Sequence, residues 1–413
     1  MPLATPDSLL SGLVEQATEL QPRTVALRRA IHRRPEQGLL LPDTQAAILA
    51  ELVDLPLTVH TGRTLSSVVA VLAGRRPGPT ILLRGDMDAL PLSEETGLPF
   101  ASQVSGTMHA CGHDTHVAML ASAARLLAAR RDELAGQVLL MFQPGEEGYH
   151  GARHMIDEGL LGADGPAGVP QWAFALHISA KVTSGEVRTR PGPILAAADI
   201  VRVTVTGRGG HASAPHDAVD PVPAAAAMVG ALQTMITRRV DALDPAVLTI
   251  AHIKAGSTSN IIPETAFLEG TLRTLSDPVR TLVLNELDVV CTHTAAAYGC
   301  AAEVEIVPGY PVTVNDPDAA ERIDRLAGAV LGADAVNPMA RPIMGAEDFS
   351  YVLDHVPGAM AFVGGCPPGI DPETAPPNHS NRVVFHEDAM VPGVAMYAAL
   401  ALDALRDSRR APA

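Results

Sequence analysis

The chain has little cysteine. Four residues in 413, Cys111, Cys291, Cys300 and Cys366, are too few for a disulfide framework. In a chain of this length a cysteine is more often a ligand or a catalyst than a staple. Basic clusters longer than a few residues are also missing, and the formal net charge is −16. That excludes the phosphate-neutralising face a nucleic-acid partner requires. No run of about 20 apolar residues occurs, so no membrane span is expected. The segment after Met1 lacks a basic stretch leading into an apolar run, so it does not read as a secretory leader. A reducing cytoplasm is the expected compartment.

Apolar residues make up 47% and charged residues 18%, enough for a sizeable core. At roughly 100–200 residues per domain, two or three domains are expected. Short, nearly continuous Val/Leu/Ile runs predict strands at Val68–Leu72, Thr80–Leu83, Val138–Phe142 and Trp172–His177. A helix is predicted over Thr115–Arg131, and the alternation implies an α/β sheet with helices on both sides. After Arg190-Pro191-Gly192-Pro193 the pattern changes. Strand Asp199–Thr206, helix Pro223–Val240, strands Val247–Ile253 and Ala266–Arg273, helix Pro278–Tyr298 and strand Ala302–Val307 follow in turn. That order is β-α-β-β-α-β, the ferredoxin-like pattern. Helix Asp316–Leu331, strand Ala359–Gly364 and a final helix from Glu387 to about Leu405 complete the chain. The simplest organisation is an α/β domain from residues 1–194 and 311–413, with a smaller α+β domain inserted at 195–310.

Metal-type side chains gather where strands end, and the carboxyl ends of strands are where open α/β sheets bind ligands. Asp86-Met87-Asp88 ends the strand Thr80–Leu83. The stretch from His109 to His116 holds three histidines and Cys111 around Gly112, a soft donor set suited to Zn²⁺ and its neighbours. Glu146-Glu147 follows Val138–Phe142; one carboxylate there can bind metal while the other holds a water as general base. His177 closes Trp172–His177, and Asn378-His379-Ser380 follows a proline-rich loop. In the insert, Gly207–His216 loosely fits a dinucleotide fingerprint, but Pro215 interrupts the helix that fingerprint needs. Asn260 and Arg273 could meet a carboxylate, Arg273 as a fork.

With these motifs in order, the sequence resembles the aminoacylase, hippurate hydrolase and auxin-conjugate amidohydrolase group of zinc metallopeptidases, related to carboxypeptidase G. The resemblance runs from His32-Arg33-Arg34-Pro35-Glu36 through Gly85–Pro91, Met108–His113, Gln143–Gly148, Gly207–His216, Asn260–Pro263 and Gly345–Phe349 to Asn378-His379-Ser380. It implies a zinc-peptidase-like mixed-sheet catalytic domain with an inserted ferredoxin-like dimerisation domain. It also implies two divalent metals per subunit, Zn²⁺ first and Mn, Co or Ni as alternatives. The implied ligands are Cys111, His113, Glu147, His177 and His379, with Cys111 bridging. Glu146 matches the general base, and Asp88 a carboxylate that orients a ligating imidazole. His211 matches a histidine that reaches the other subunit's active site in relatives; Asn260 and Arg273 match substrate-carboxylate contacts. The implied partners are a small N-acyl amino acid and a second copy of the chain, as a homodimer or a tetramer. Asp86 stands where the peptidase branch carries a metal-binding histidine, which with Cys111 places the chain in the amidohydrolase branch. Two other readings are a dipeptidase or carboxypeptidase on this scaffold, and a non-catalytic binding protein.

Overall fold

The computed structural model describes residues 10–406. Apart from the single turn Ser350–Leu353, the α-helices in chain order are α1 (Leu13–His32), α2 (Pro42–Leu52), α3 (His113–Ala129), α4 (Gly151–Asp157), α5 (Pro221–Arg239), α6 (Asp277–Ala297), α7 (Pro317–Leu331) and α8 (Met390–Ala404). Apart from the short pair Gly192–Leu195 and Thr313–Asn315, the strands are β1 (Thr58–Thr61), β2 (Val68–Ala73), β3 (Arg76–Asp86), β4 (Ala135–Gln143), β5 (Trp172–Thr183), β6 (Val187–Arg188), β7 (Ala197–Thr206), β8 (Gly210–His211), β9 (Ala246–Ala255), β10 (Ile261–Ile262), β11 (Thr265–Thr274), β12 (Ala301–Pro308) and β13 (Gly358–Cys366). Three helix starts follow one local rule. Asp220, Ser276 and Asp316 each precede a first-turn proline, and their side-chain oxygens accept first-turn N–H groups.

The chain forms two compact units. Among the described residues the first comprises residues 10–194, Val314–Arg341 and residues 351–406. Its sheet runs β1-β2-β4-β3-β5-β13-β6. β3 pairs parallel with β4 and β5, and β13 parallel with β5, while β1, β2 and β6 pair antiparallel. The fold is therefore mixed α/β. Because β3 and β4 run parallel with Asp86 opposite Gln143, the turns that follow them emerge on one rim. One apolar core joins these strands to α1, α3, α7 and α8. α3 is buried on nearly every side, which its Ala-rich, Leu-rich sequence permits.

The second unit comprises Leu195–Thr313 and Pro342–Ser350. Its four-stranded antiparallel sheet runs β9-β11-β7-β12, and α5 and α6 share one apolar cluster with it. The order β7-α5-β9-β11-α6-β12 is that of the β-α-β-β-α-β pattern. β8 and β10 form a separate two-stranded ribbon with His211 opposite Ile261.

Several expectations need correction. The segment Pro342–Ser350, with the Gly345–Phe349 motif, groups with the second unit rather than with 311–413. His177 does not close its strand, since β5 continues to Thr183. Beyond His177, buried Ile178, Ala180 and Val182 alternate with Ser179, Lys181 and Thr183, a half-exposed strand whose polar residues resemble a loop. The last helix begins at Met390, after a single 3₁₀ turn at Glu387–Ala389. Helices α1 and α2 had no counterpart in the sequence reading.

Candidate metal centre

Cys111 and His113 flank Gly112, which caps α3 with φ of +89°. A Cβ there would lie 2.4 Å from Ile178 Cγ2, so only glycine fits both the conformation and the space. The turn thus carries a thiol and an imidazole into the rim from either side of one residue. His113 is fully buried, Cys111 is 7% exposed and Glu146 is 6% exposed.

Hydrogen bonds fix which ring nitrogen each histidine presents. His113 Nδ1 donates to the Asp88 carbonyl at 2.9 Å, and His177 Nδ1 donates to the Ile178 carbonyl at 2.8 Å. In the neutral ring each Nε2 therefore carries the lone pair. His177 Nε2 lies 3.4 Å and His379 Nε2 3.3 Å from Cys111 Sγ. His379 Nε2 is also 3.3 Å from Glu147 Oε1, and His113 Nε2 is 3.9 Å from both Glu147 Oε1 and Glu146 Oε2. Donor atoms of Cys111, His113 and His177 all lie within 4.8 Å of one another, as do those of Cys111, Glu147 and His379. The two triads share the thiol.

These residues fit divalent cations. Ligand bonds of about 2.0–2.3 Å in a tetrahedral shell put neighbouring ligand atoms about 3.3–3.8 Å apart. The spacings above span that interval. His113 Nε2 is buried without a hydrogen-bond partner, as an atom aimed at a cation is. Hydrogen bonds to Cys111 and Glu147 hold His379 up to about 10, so the cluster favours positive charge. Burial and the neighbouring Glu147 push the Cys111 thiol up, so a cation that binds its thiolate must displace a proton.

The surrounding groups act on the donors. His113 Nδ1 meets both the carbonyl of Asp88, at 2.9 Å, and its carboxylate Oδ1, at 3.4 Å. The Asp88 side-chain oxygens also accept from the N–H groups of Glu146 and Glu147, each at 3.0 Å, and so shape the turn that carries both acids. Asp86 is fully buried, with Oδ2 2.7 Å from Arg84 Nη1 and 3.3 Å from His113 Nε2. Burial alone would raise its pKa, but Arg84, His113 and His116 outweigh that and keep it well below the carboxylate range.

Three features were given no individual role in the sequence reading. His116 bonds Asp86 Oδ1 through Nδ1, and its Nε2 accepts the Ile178 N–H at 2.7 Å, which ties α3 to the strand bearing His177. Arg28 Nε and His32 Nδ1 hold Asp114 Oδ2 at 3.1 and 2.8 Å, behind His113. Asn378 bonds three backbone groups around the cluster. The four-residue spacing of Arg28 and His32 was the one available signal, since it puts both on one helical face.

In the second unit, the Asn260 carbonyl accepts the Ala212 N–H, which brings Asn260 beside His211. His211 Nδ1 accepts from the Ser213 N–H at 3.1 Å, which leaves the proton of the neutral ring on Nε2. Arg273 is not in this group. It lies opposite Ala198 at one end of β11, and His211 and Asn260 lie beyond the Thr206–Thr265 end. Eight positions at about 3.3 Å each separate those ends by about 26 Å.

The fold and donor set define a class: a mixed α/β scaffold carrying a Cys/His/Glu donor set suited to divalent metal. Residues 82–403 match the family model described as Peptidase family M20/M25/M40, and the chain belongs to that family. It is 36% identical over 405 residues to thermostable carboxypeptidase 1 of Saccharolobus solfataricus, covering 95% of this chain and 98% of that one. It is 39% identical over 345 residues to N-acetyl-L-cysteine deacetylase of Bacillus subtilis, covering 84% and 81%. Among solved structures, the Bacillus subtilis YXEP protein, described as a dinuclear metal-binding peptidase of the M20 family, superposes with a TM-score of 0.80. It is 30% identical, with 94% of this chain and 99% of that one covered.

Proposed function

We propose that the protein is a metal-dependent amidohydrolase that cleaves the amide bond of N-acyl amino acids, releasing a carboxylic acid and a free amino acid. The observation that carries this reading is the pair of donor triads sharing Cys111 Sγ, with Glu146 beside them. Cys111, His113, Glu147, His177 and His379 would hold two divalent ions, Zn²⁺ first, with Mn, Co or Ni as alternatives. When bound, such a pair polarises a carbonyl and lowers the pKa of water.

The protein's own groups supply the rest. Glu146 takes the proton of the attacking water and returns it to the departing amine. Asp88 keeps Glu146 in place through its backbone N–H. His211, with its proton on Nε2, is a donor suited to the developing oxyanion. Arg273 and Asn260 bind the substrate carboxylate and select N-acyl amino acids over plain amides. Since one small substrate cannot touch both ends of β11, the reading assigns His211 and Asn260 to one subunit and Arg273 to the other, hence a homodimer. The compartment is taken as cytoplasmic; among the described residues no helix is long and apolar enough to cross a membrane.

The Saccharolobus carboxypeptidase keeps a second reading open, a metallo-carboxypeptidase. Cys111, and Asp86 in place of a histidine, favour the amidohydrolase. A panel of N-acetyl, N-benzoyl and indole-acetyl amino acids and dipeptides, assayed before and after chelation, decides between them. Chelator-sensitive cleavage of N-acyl amino acids over dipeptides is expected, and Glu146→Gln is expected to retain metal while losing at least about 100-fold in turnover. Preference for dipeptides would favour the carboxypeptidase, and a Glu146→Gln enzyme within tenfold of wild type would remove the base.

A further inference from the structure

His379 is the one exposed donor of the cluster, and its backbone is held at φ of +69°. A non-glycine residue stays in that left-handed region only where its surroundings over-determine it. Two contacts do so here. The His379 N–H donates to the Ala110 carbonyl at 2.9 Å. The neighbouring Asn378 amide is spent on three backbone groups. Its Nδ2 donates to the carbonyls of Cys111 at 3.1 Å and Ile178 at 3.0 Å, and its Oδ1 accepts the Ala180 N–H at 3.1 Å. All three bonds agree with one orientation of the amide, which neither a carboxylate nor a hydroxyl reproduces. One half-buried side chain thus joins the segments that carry Cys111, His177 and His379.

We propose that Asn378 is a positioning residue for one of the two cation sites: it holds His379 in its strained conformation against Cys111 and Glu147. The inference rests on the two-site reading above. His113 makes no contact with the bracket, and Ile178, whose carbonyl Asn378 shares with His177, is also held by its pairing with Val363 and by His116. The Nδ1 atoms of His113 and His177 are anchored on the Asp88 and Ile178 carbonyls. Loss of Asn378 therefore frees His379 to relax and empties the triad Cys111–Glu147–His379, while the triad Cys111–His113–His177 keeps its geometry.

The test is titration of Co²⁺ into the full-length protein, reading stoichiometry by calorimetry and Cys111 ligation by thiolate-to-cobalt absorption. Wild type is expected to bind two ions per chain. Asn378→Ala is expected to bind one ion with affinity within about tenfold of wild type, still showing the thiolate band, and to weaken the other at least 100-fold. His379→Ala serves as the reference for a chain lacking that donor. Asn378→Asp keeps the size but turns an oxygen toward two carbonyls, and is expected to behave as Asn378→Ala; it serves as the readout if the alanine variant fails to fold. Two ions bound normally by the variants would overturn the proposal. Parallel loss of both ions would also overturn it, as a general structural role predicts. Fewer than two ions on wild type, by contrast, would sink the two-site reading itself.

Discussion

At the scale of single residues, the donors are set by small groups that do not touch substrate. His32 is an example. Its Nδ1 meets Asp114 at 2.8 Å and its Nε2 lies 3.3 Å from Glu94. Burial alone would lower its pKa, but Asp114 and Glu94 outweigh it and hold the imidazole up to about 9. The folded value lies above the ordinary 6.5, so the charged form contributes stability fully below pH 6.5, and that contribution fades as pH rises through about 9. The interval corresponds to about 3 kcal/mol at about 1.4 kcal/mol per pH unit. His32→Gln is expected to melt lower than wild type at pH 6 and to lack the wild-type fall in Tm between pH 6.5 and 9.5. Parallel Tm–pH curves for the two proteins would show that His32 carries no such linkage.

At the scale of elements, the start of α3 fixes the centre. Gly112 sits between two donors, with φ of +89° and with Ile178 and Phe385 crowding the place of a Cβ. Gly112→Ala combines backbone strain with overpacking, at about 2–4 kcal/mol. Calorimetry is expected to show that loss together with weaker metal binding, because relief of the clash must move Cys111 or His113. An alanine variant with wild-type Tm and metal affinity would mean the turn is not the constraint. α1 acts on the same region from behind. Arg28 and His32 on one of its faces grip Asp114, and Arg28 also donates to the Phe385 carbonyl at 3.3 Å, joining α1 to the segment just past His379.

At the scale of the whole molecule, the length of β11 separates His211 from Arg273. If His211 acts on a neighbouring copy, complementation follows. Glu146→Gln and His211→Ala chains are each expected to be nearly inactive, and mixing them through dissociation and reassembly to restore up to about a quarter of wild-type activity. Random assortment makes half the dimers hybrid, and each hybrid has one intact site of two. No recovery, with mixed dimers verified, would place His211 in its own chain's site.

The local order of the chain was legible without coordinates. Continuous apolar runs marked β2, β4 and β13, because strand burial is decided within a few residues. Metal-type residues were legible as a set, since few other roles gather cysteine and histidine around a glycine. α1 was not read because buried Arg28 and His32 interrupt its apolar face; their burial makes sense only once Asp114 stands opposite. The extension of β5 past His177 was obscured by polar residues on its open face. The sequence by itself marked most of the strands and helices and gathered the metal-type residues into one set. Only the tertiary structure decided which donors share a thiol, which ring nitrogen each histidine presents, and that Asn378 spans three ligand-bearing segments. Those are contacts across up to 268 positions of chain, and nothing in local spacing encodes them.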